Sequence, residues 1–263
     1  MEITDAIRAR KSVRSYSGGL TGPQREALAQ AIATSGSPFG GAYTMCLAHF
    51  DKEGPEKPGT YGVIRGATDY LMMAVDAGDE DSQLGAGYAM EQVVLAATAM
   101  GLGTCWIGGT FKGGDFDRGR SWPAGQSLKI ISPVGEPSGC KSLLERVAHA
   151  ALRSGARKAF GKLFSAGCFG TPLAEDSTFG QALEMMRLAP SSTNSQPWRA
   201  LEQNGTVHFY SATDNAYSLI DMGIGLCHFA GAERQYGHNG RFGRENDVPQ
   251  EAGLRYITSY RRI

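Results

Sequence analysis

A mixed helix-and-strand protein, laid out as two halves of one chain, is what this sequence predicts. Three observations carry that expectation. Helical and extended patterns alternate along the chain, the order of elements begins again after Gly170 and Pro172, and two long apolar stretches share a spacing. In the first, Gly87 precedes Gly101 by fourteen residues, and in the second Gly223 precedes Gly237 by fourteen. With 263 residues, 41% of them hydrophobic, the chain can bury a substantial core.

The elements follow in order. Ile3, Ala6, Ile7 and Arg10 recur at helical spacing, and SVRSY then reads as extended. Thr21 and Gln24 form a capping pattern with Pro23 in the first turn, which predicts a helix over 22–34, stopped by the loop SGSPFGG. Strands are expected over 42–50 and 70–75, separated by DKEGPEKPG, and a long apolar helix over 85–100. An extended turn at 104–107 and a strand at 128–134, ended by GEP, complete the first series. Residues 143–164 read as a basic helix. A helix over 179–188 follows, then strands at 198–202 and 206–210 joined through Asn204-Gly205, the strongest short hairpin signal. A helix over 219–236 and a closing strand over 254–260 end the chain.

Composition narrows the function classes. The 26 basic residues balance 26 acidic ones, so neither nucleic acid nor an anionic membrane is an expected partner, and any basic site must be local. Thirty-six glycines point to tight turns and to backbone lying close against another surface. The five cysteines are scattered, with no CxxC pair, and read as free thiols of a reducing compartment. MEITDAIRAR carries charges where an export signal has its apolar segment, so a cytoplasmic protein is expected. The uncharged run from Val93 to Thr110 has nearly the length of a membrane span, but its glycines favour a buried helix and a turn.

Four segments could carry chemistry. In RARKSVR, the cations Arg8, Arg10, Lys11 and Arg14 surround Ser12 at a helix end, donors that suit a phosphate; a solvated basic face explains the spacing equally well. APSSTNSQPW offers Pro190, Ser191, Ser192, Thr193 and Asn194 as a polar turn anchored by Pro197 and Trp198, or a plain surface loop. In GLGTCWIGG, Gly108 and Gly109 leave backbone amides uncovered for a flat ligand, or simply make a tight turn. Arg157 and Lys158 lie in the basic helix, where, taken alone, they read as solvated side chains. The five histidines form no metal-binding pattern, and neither a phosphate-binding GxxxxGK[ST] loop nor a GxSxG nucleophile elbow is present.

Taken together, RKSVR, GLGTCWIGG, PVGEP and APSSTNSQPW, in this order along most of the chain, resemble the FMN-dependent nitroreductase family. The resemblance implies an α+β fold with FMN at the interface of two subunits, the basic motif coming from one and the PSSTN-type loop from the other. Here the loop motif occurs only in the second half, SGSPFGG holds its place in the first, and the second half has no counterpart of RKSVR. The expected architecture is therefore the family's internally duplicated branch: residues 1–165 supply the phosphate site, 166–263 form a shorter half supplying the loop, and the two intertwined halves of a monomer imitate the dimer around one FMN.

Carried over by matching residues, the resemblance assigns Arg10, Lys11 and Ser12, with Arg157 or Lys158, to the phosphate. It assigns Pro190, Ser191, Ser192 and Asn194 to the flavin from the other half, and Ile107, Gly108 and Gly109 to the neighbourhood of its reactive nitrogen. Tyr61 and Arg65 lie in the region that faces the ring edge. The implied activity is hydride transfer from NADH or NADPH through FMN to a nitroaromatic, quinone or similar small-molecule acceptor, with no catalytic side chain required. The alternatives are a non-catalytic flavin-binding or sensor protein, which would not oxidise NAD(P)H, and a colourless structural protein.

Overall fold

The computed structural model describes residues 1–51, 58–139 and 155–263. The first series of elements is α1 (Ile3–Ala9), β1 (Tyr16–Gly18), α2 (Gly22–Thr34), β2 (Tyr43–His49), β3 (Asp69–Asp76), α3 (Glu80–Ala99), β4 (Gly103–Thr104), α4 (Gly113–Asp117) and β5 (Gln126–Pro137). The second is α5 (Phe160–Leu163), β6 (Phe164–Ala166), α6 (Gly180–Arg187), β7 (Trp198–Gln203), β8 (Thr206–Ser211), α7 (Ser218–Gln235), β9 (Gly240–Gly243) and β10 (Arg255–Arg262).

Local chemistry explains the boundaries. The capping box of α2 is complete: the Thr21 hydroxyl accepts from the Gln24 N–H, and the Gln24 side chain accepts from the Thr21 N–H at 2.9 Å. Helix α3 begins five residues ahead of the expected Gly85, because the Asp79 carboxylate caps the N–H groups of Asp81 and Ser82 and lets the polar turn EDSQ become helical. Both α3 and α7 end in a Schellman motif. Leu102 N–H reaches Ala97 O and Gly101 N–H reaches Thr98 O; His238 and Gly237 repeat this with Glu233 O and Arg234 O. Gly101 (φ 77°) and Gly237 (φ 80°) supply the left-handed residue each motif needs.

Each series builds one five-stranded sheet. The first has the order β1-β5-β3-β2 with β4 also on β5, and the second β6-β7-β8-β10-β9. The ladder β2-β3-β5 with β4 corresponds to β7-β8-β10 with β9. Strand β6 stands apart: it pairs parallel with β7, whereas the other strand pairs are antiparallel. In the β7–β8 hairpin Asn204 (φ 50°) and Gly205 (φ 73°) form the two-residue turn that the sequence predicts. Gly205→Ala should lower stability by about 1 kcal/mol, read as a lower urea midpoint, because an alanine is strained at that φ.

Between the sheets, α3 lies against α7. A Cβ on Gly87 would stand 2.2 Å from Ile220 O, and one on Gly223 would stand 2.1 Å from Leu84 O, so the shared glycine spacing marks the crossing point of the two helices. The larger core cluster spans both halves, from Leu71, Met73 and Val93 to Trp198, Phe209 and Phe229. A smaller one joins Tyr70, Met72 and Ile131 to Phe116 of α4, a helix with too few residues to show periodicity.

Three sequence expectations change. Of the basic helix expected over 143–164, residues 143–154 lie outside the described residues; 155–159 are not helical, α5 is one turn, and Phe164 starts a strand. GEP does not end β5, which runs on to Pro137 because Gly18 of β1 pairs with Glu136. Strands β6 and β9 were not expected. Among the described residues no helix is long and apolar enough to cross a membrane, and no group of His, Cys, Asp or Glu could hold a metal ion.

Candidate cofactor site

The basic motif starts where α1 stops. Arg10 is the C-cap, its N–H bonded to Ala6 O, and the chain then runs extended beside β4, with Ser12 bridging Thr104 and Val13 N–H donating to Thr104 O at 2.8 Å. Nε and Nη1 of Arg10 are sealed from solvent and have no hydrogen-bond partner among the described residues. Burial lowers the guanidinium pKa, opposed by the nearby Glu91 and Cys105. Lys11 is exposed and Ser12 half-buried, while Arg8 points into solvent. Arg65 pairs by backbone with this segment, accepting from Tyr16 N–H and donating to Arg14 O; Tyr61 is 68% exposed in a left-handed conformation (φ 48°).

Arg157 and Lys158 sit in an extended strap rather than a helix, and the reason is their bonding to the polar loop. Arg157 donates to Asn194 Oδ1 (3.2 Å) and Leu188 O (3.0 Å). Lys158 donates through its N–H to Gln196 Oε1 (2.8 Å) and through Nζ to Ser195 O (2.7 Å). Asn194 returns a bond from Nδ2 to Ala156 O. Burial first, then the charges of Arg10 and Arg187, push the Arg157 guanidinium down to about 10. Arg187 is itself matched by Glu184 at 2.6 Å. Arg10 and Arg157, from sequence-distant segments, therefore lie near enough for the charge of one to act on the other.

The loop is held in an unusual conformation. Thr193, Asn194 and Gln196 all have φ between 50° and 57°, which costs free energy for residues with a Cβ. Asp221, on the first turn of α7, accepts the Ser192 N–H on both carboxylate oxygens (2.9 and 3.0 Å). Ser191 Oγ accepts the Gln196 N–H at 2.9 Å, and Trp198 is fully buried as the anchor beyond Pro197. Asp221 was missed in the sequence, although a lone acid in the apolar run SLIDMGIG is a signal for a specific partner.

On the other side, buried Ile107 bridges Ile131, and Gly108 lies against the ring of Tyr217 from the second half: a Cβ there would meet the ring at 2.6 Å. Gly109 faces the Tyr217 hydroxyl. Lys129 Nζ stands 5.2 Å over the same ring. A cavity of about 410 Å³ opens at the start of α7, lined by Glu80, Lys129, Asp214, Asn215, Ser218 and Arg255; none of Ile107–Gly109, Tyr217 or the polar loop lines it. The preceding Trp106 donates Nε1–H to Glu91 at 2.7 Å, and Glu91 meets His228 of α7 at 2.8 Å, both fully buried. Neither Glu91, ahead of an apolar run, nor His228, beside Cys227, stands in a recognisable motif of the sequence.

Two fused α+β halves around a shared helix pair, with segments of both meeting between them, define a nitroreductase-like fold. The chain belongs to the nitroreductase family: the family model described as "Putative TM nitroreductase" matches residues 2–232. A Thermotoga maritima structure described as a putative nitroreductase is 20% identical, with 99% of this chain and 92% of that one covered and a TM-score of 0.61, a likeness of fold. A nitroreductase family protein from Clostridium novyi is 20% identical, covering 53% of this chain and 87% of its own, at a TM-score of 0.41. A Desulfovibrio desulfuricans protein solved in complex with FMN is 22% identical, covering 55% and 94%, at 0.40. No curated protein matches the chain.

Proposed function

We propose that this protein is an FMN-dependent NAD(P)H oxidoreductase that reduces nitroaromatics, quinones or similar small acceptors, one FMN per monomer. The observation that supports it most directly is the Arg10 guanidinium, sealed, without a hydrogen bond on two of its nitrogens, and near enough to Arg157 for its charge to act there. The buried, unbonded Nε and Nη1 of Arg10 are donors that suit the oxygens of an anion. The dianionic phosphate of FMN has the charge and the acceptors to take both guanidiniums, with Lys11, Ser12 and Lys158 at the rim. Bound FMN would supply the hydride chemistry that passes reducing equivalents from nicotinamide to acceptor.

In this reading residues 1–165 contribute the phosphate donors and the Ile107–Gly109 backbone, and residues 166–263 contribute Pro190, Ser191, Ser192 and Asn194. The left-handed loop is held rigid by Arg157 and Asp221, which limits the entropy lost on binding.

The test is a visible spectrum of the purified protein with mass analysis of the released ligand, repeated on Arg10→Ala/Ser12→Ala. The expected parent is yellow, releases one FMN per chain and oxidises NADH or NADPH with an acceptor present; the double variant should bind FMN at least about tenfold more weakly, as loss of a charge-assisted hydrogen bond predicts. Unchanged affinity, or two FMN per chain, would sink the assignment. A yellow protein that does not oxidise NAD(P)H would favour the sensor reading.

A further inference from the structure

The two halves serve as internal controls for each other. The offset that takes Gly87 to Gly223 also takes Gly101 to Gly237, and it takes the contact of Gly108 with Tyr217 onto the ion pair of Arg244 with Asp81. Under the same offset Glu91 becomes Cys227, Trp106 becomes Phe242 and Gly109 becomes Glu245. The second half thus packs a thiol and a phenyl ring where the first keeps a carboxylate and an indole. Phe242 joins Phe39, Tyr88 and Tyr260 in an aromatic cluster that includes the SGSPFGG loop. This fold packs without a buried carboxylate at that position, and a buried carboxylate is costly. The first half keeps its carboxylate at that position near the Arg10 guanidinium and against the Trp106 indole.

The bonds of Glu91 show what it does there. His228 Nδ1 faces Met185 O at 3.1 Å, and because a carbonyl only accepts, that nitrogen carries a proton. His228 Nε2 meets Glu91 Oε1, and Glu91 Oε2 accepts from Trp106 Nε1. One chain of hydrogen bonds therefore runs from Trp106, next to Ile107–Gly109, across the helix pair to Met185, four residues ahead of Ala189 and the polar loop. Both walls of the cleft hang on it.

We infer that Glu91 is a positioning residue: with His228 it fixes the separation between the Trp106–Gly109 wall and the Ala189–Gln196 wall. The inference rests on the proposed flavin site, but its test does not depend on FMN alone. Glu91→Leu breaks the chain at similar volume; Glu91→Gln keeps it, since the amide oxygen accepts from Trp106 and the amide N–H donates to His228. In cofactor-free protein, hydrogen exchange of peptides covering 106–109 and 189–196 should quicken together in Glu91→Leu and stay at the parent rate in Glu91→Gln. FMN affinity should fall about tenfold or more in the first and recover in the second, the loss expected when about 1.4 kcal/mol of preorganisation is removed.

Should Glu91→Leu fail to fold, Glu91→Cys, which copies the second half, gives the same two readings. Unaltered exchange at both walls, or equal quickening in the Leu and Gln variants, overturns the inference. If the parent binds no FMN while exchange responds as expected, it is the flavin assignment that fails and the positioning role that stands.

Discussion

Gly223→Val should cost about 3 kcal/mol or more, seen as a fall of roughly 10 °C in the thermal midpoint of the helical circular-dichroism signal. The added Cβ would stand 2.1 Å from Leu84 O and 2.8 Å from Tyr88 N, and neither is the end of a flexible side chain that could swing away. Helix α3 and helix α7 must move apart as rigid bodies, and the cross-half core formed by Leu84, Tyr88, Ile220 and Ile224 opens with them. Gly87→Val should behave alike, since its Cβ meets Ile220 O at 2.2 Å. Gly22→Ala, with nothing within 4 Å, is the matched control and should melt with the parent. A Gly223→Val protein as stable as its control would mean that the helices do not cross at these glycines.

Asp221→Asn should flatten the pH dependence of stability. Burial raises the Asp221 carboxyl to about 7, against the opposing bonds from Ser192 N–H and Ser195. An unfolded aspartate titrates near 3.8, so the folded state holds the proton more tightly. The stability from that proton is complete in acid and is lost as pH rises through about 7. Over that span the parent should lose on the order of 4 kcal/mol relative to the asparagine variant, whose amide oxygen still accepts the Ser192 N–H. Urea midpoints at pH 5 and pH 8 give the comparison: the gap between the two proteins should widen toward pH 8. Parallel curves would show that Asp221 is ionised throughout.

What the sequence made legible was local. Thr21, Pro23 and Gln24 define the start of α2 through bonds between neighbours, and Asn204-Gly205 forms its turn through its own backbone preferences. RARKSVR at a helix end and APSSTNSQPW as an ordered loop were readable for the same reason. The missed features depend on partners far along the chain. Arg157 and Lys158 share the composition of a basic helix, yet their hydrogen bonds go to residues 188–196, and an extended strap satisfies them. Strand β6 is three residues whose partner, β7, lies more than thirty residues on, and β9 alternates around glycines. Glu91 and His228 meet only when the two halves close, so no spacing rule could have paired them.

Strand β6 also has a consequence on dilution. The segment that carries Arg157 and Lys158 to the polar loop continues directly into the second sheet, where Phe164, Ser165 and Ala166 pair with Ala200, Leu201 and Glu202. In a two-chain assembly an interfacial cleft dissolves once the protein concentration drops below the association constant's reach. Here the covalent link keeps the partner surfaces at a local concentration on the order of millimolar however thin the solution becomes. A scarce protein can thus keep its cleft assembled, and each wall can change by mutation without the same change being imposed on a second copy.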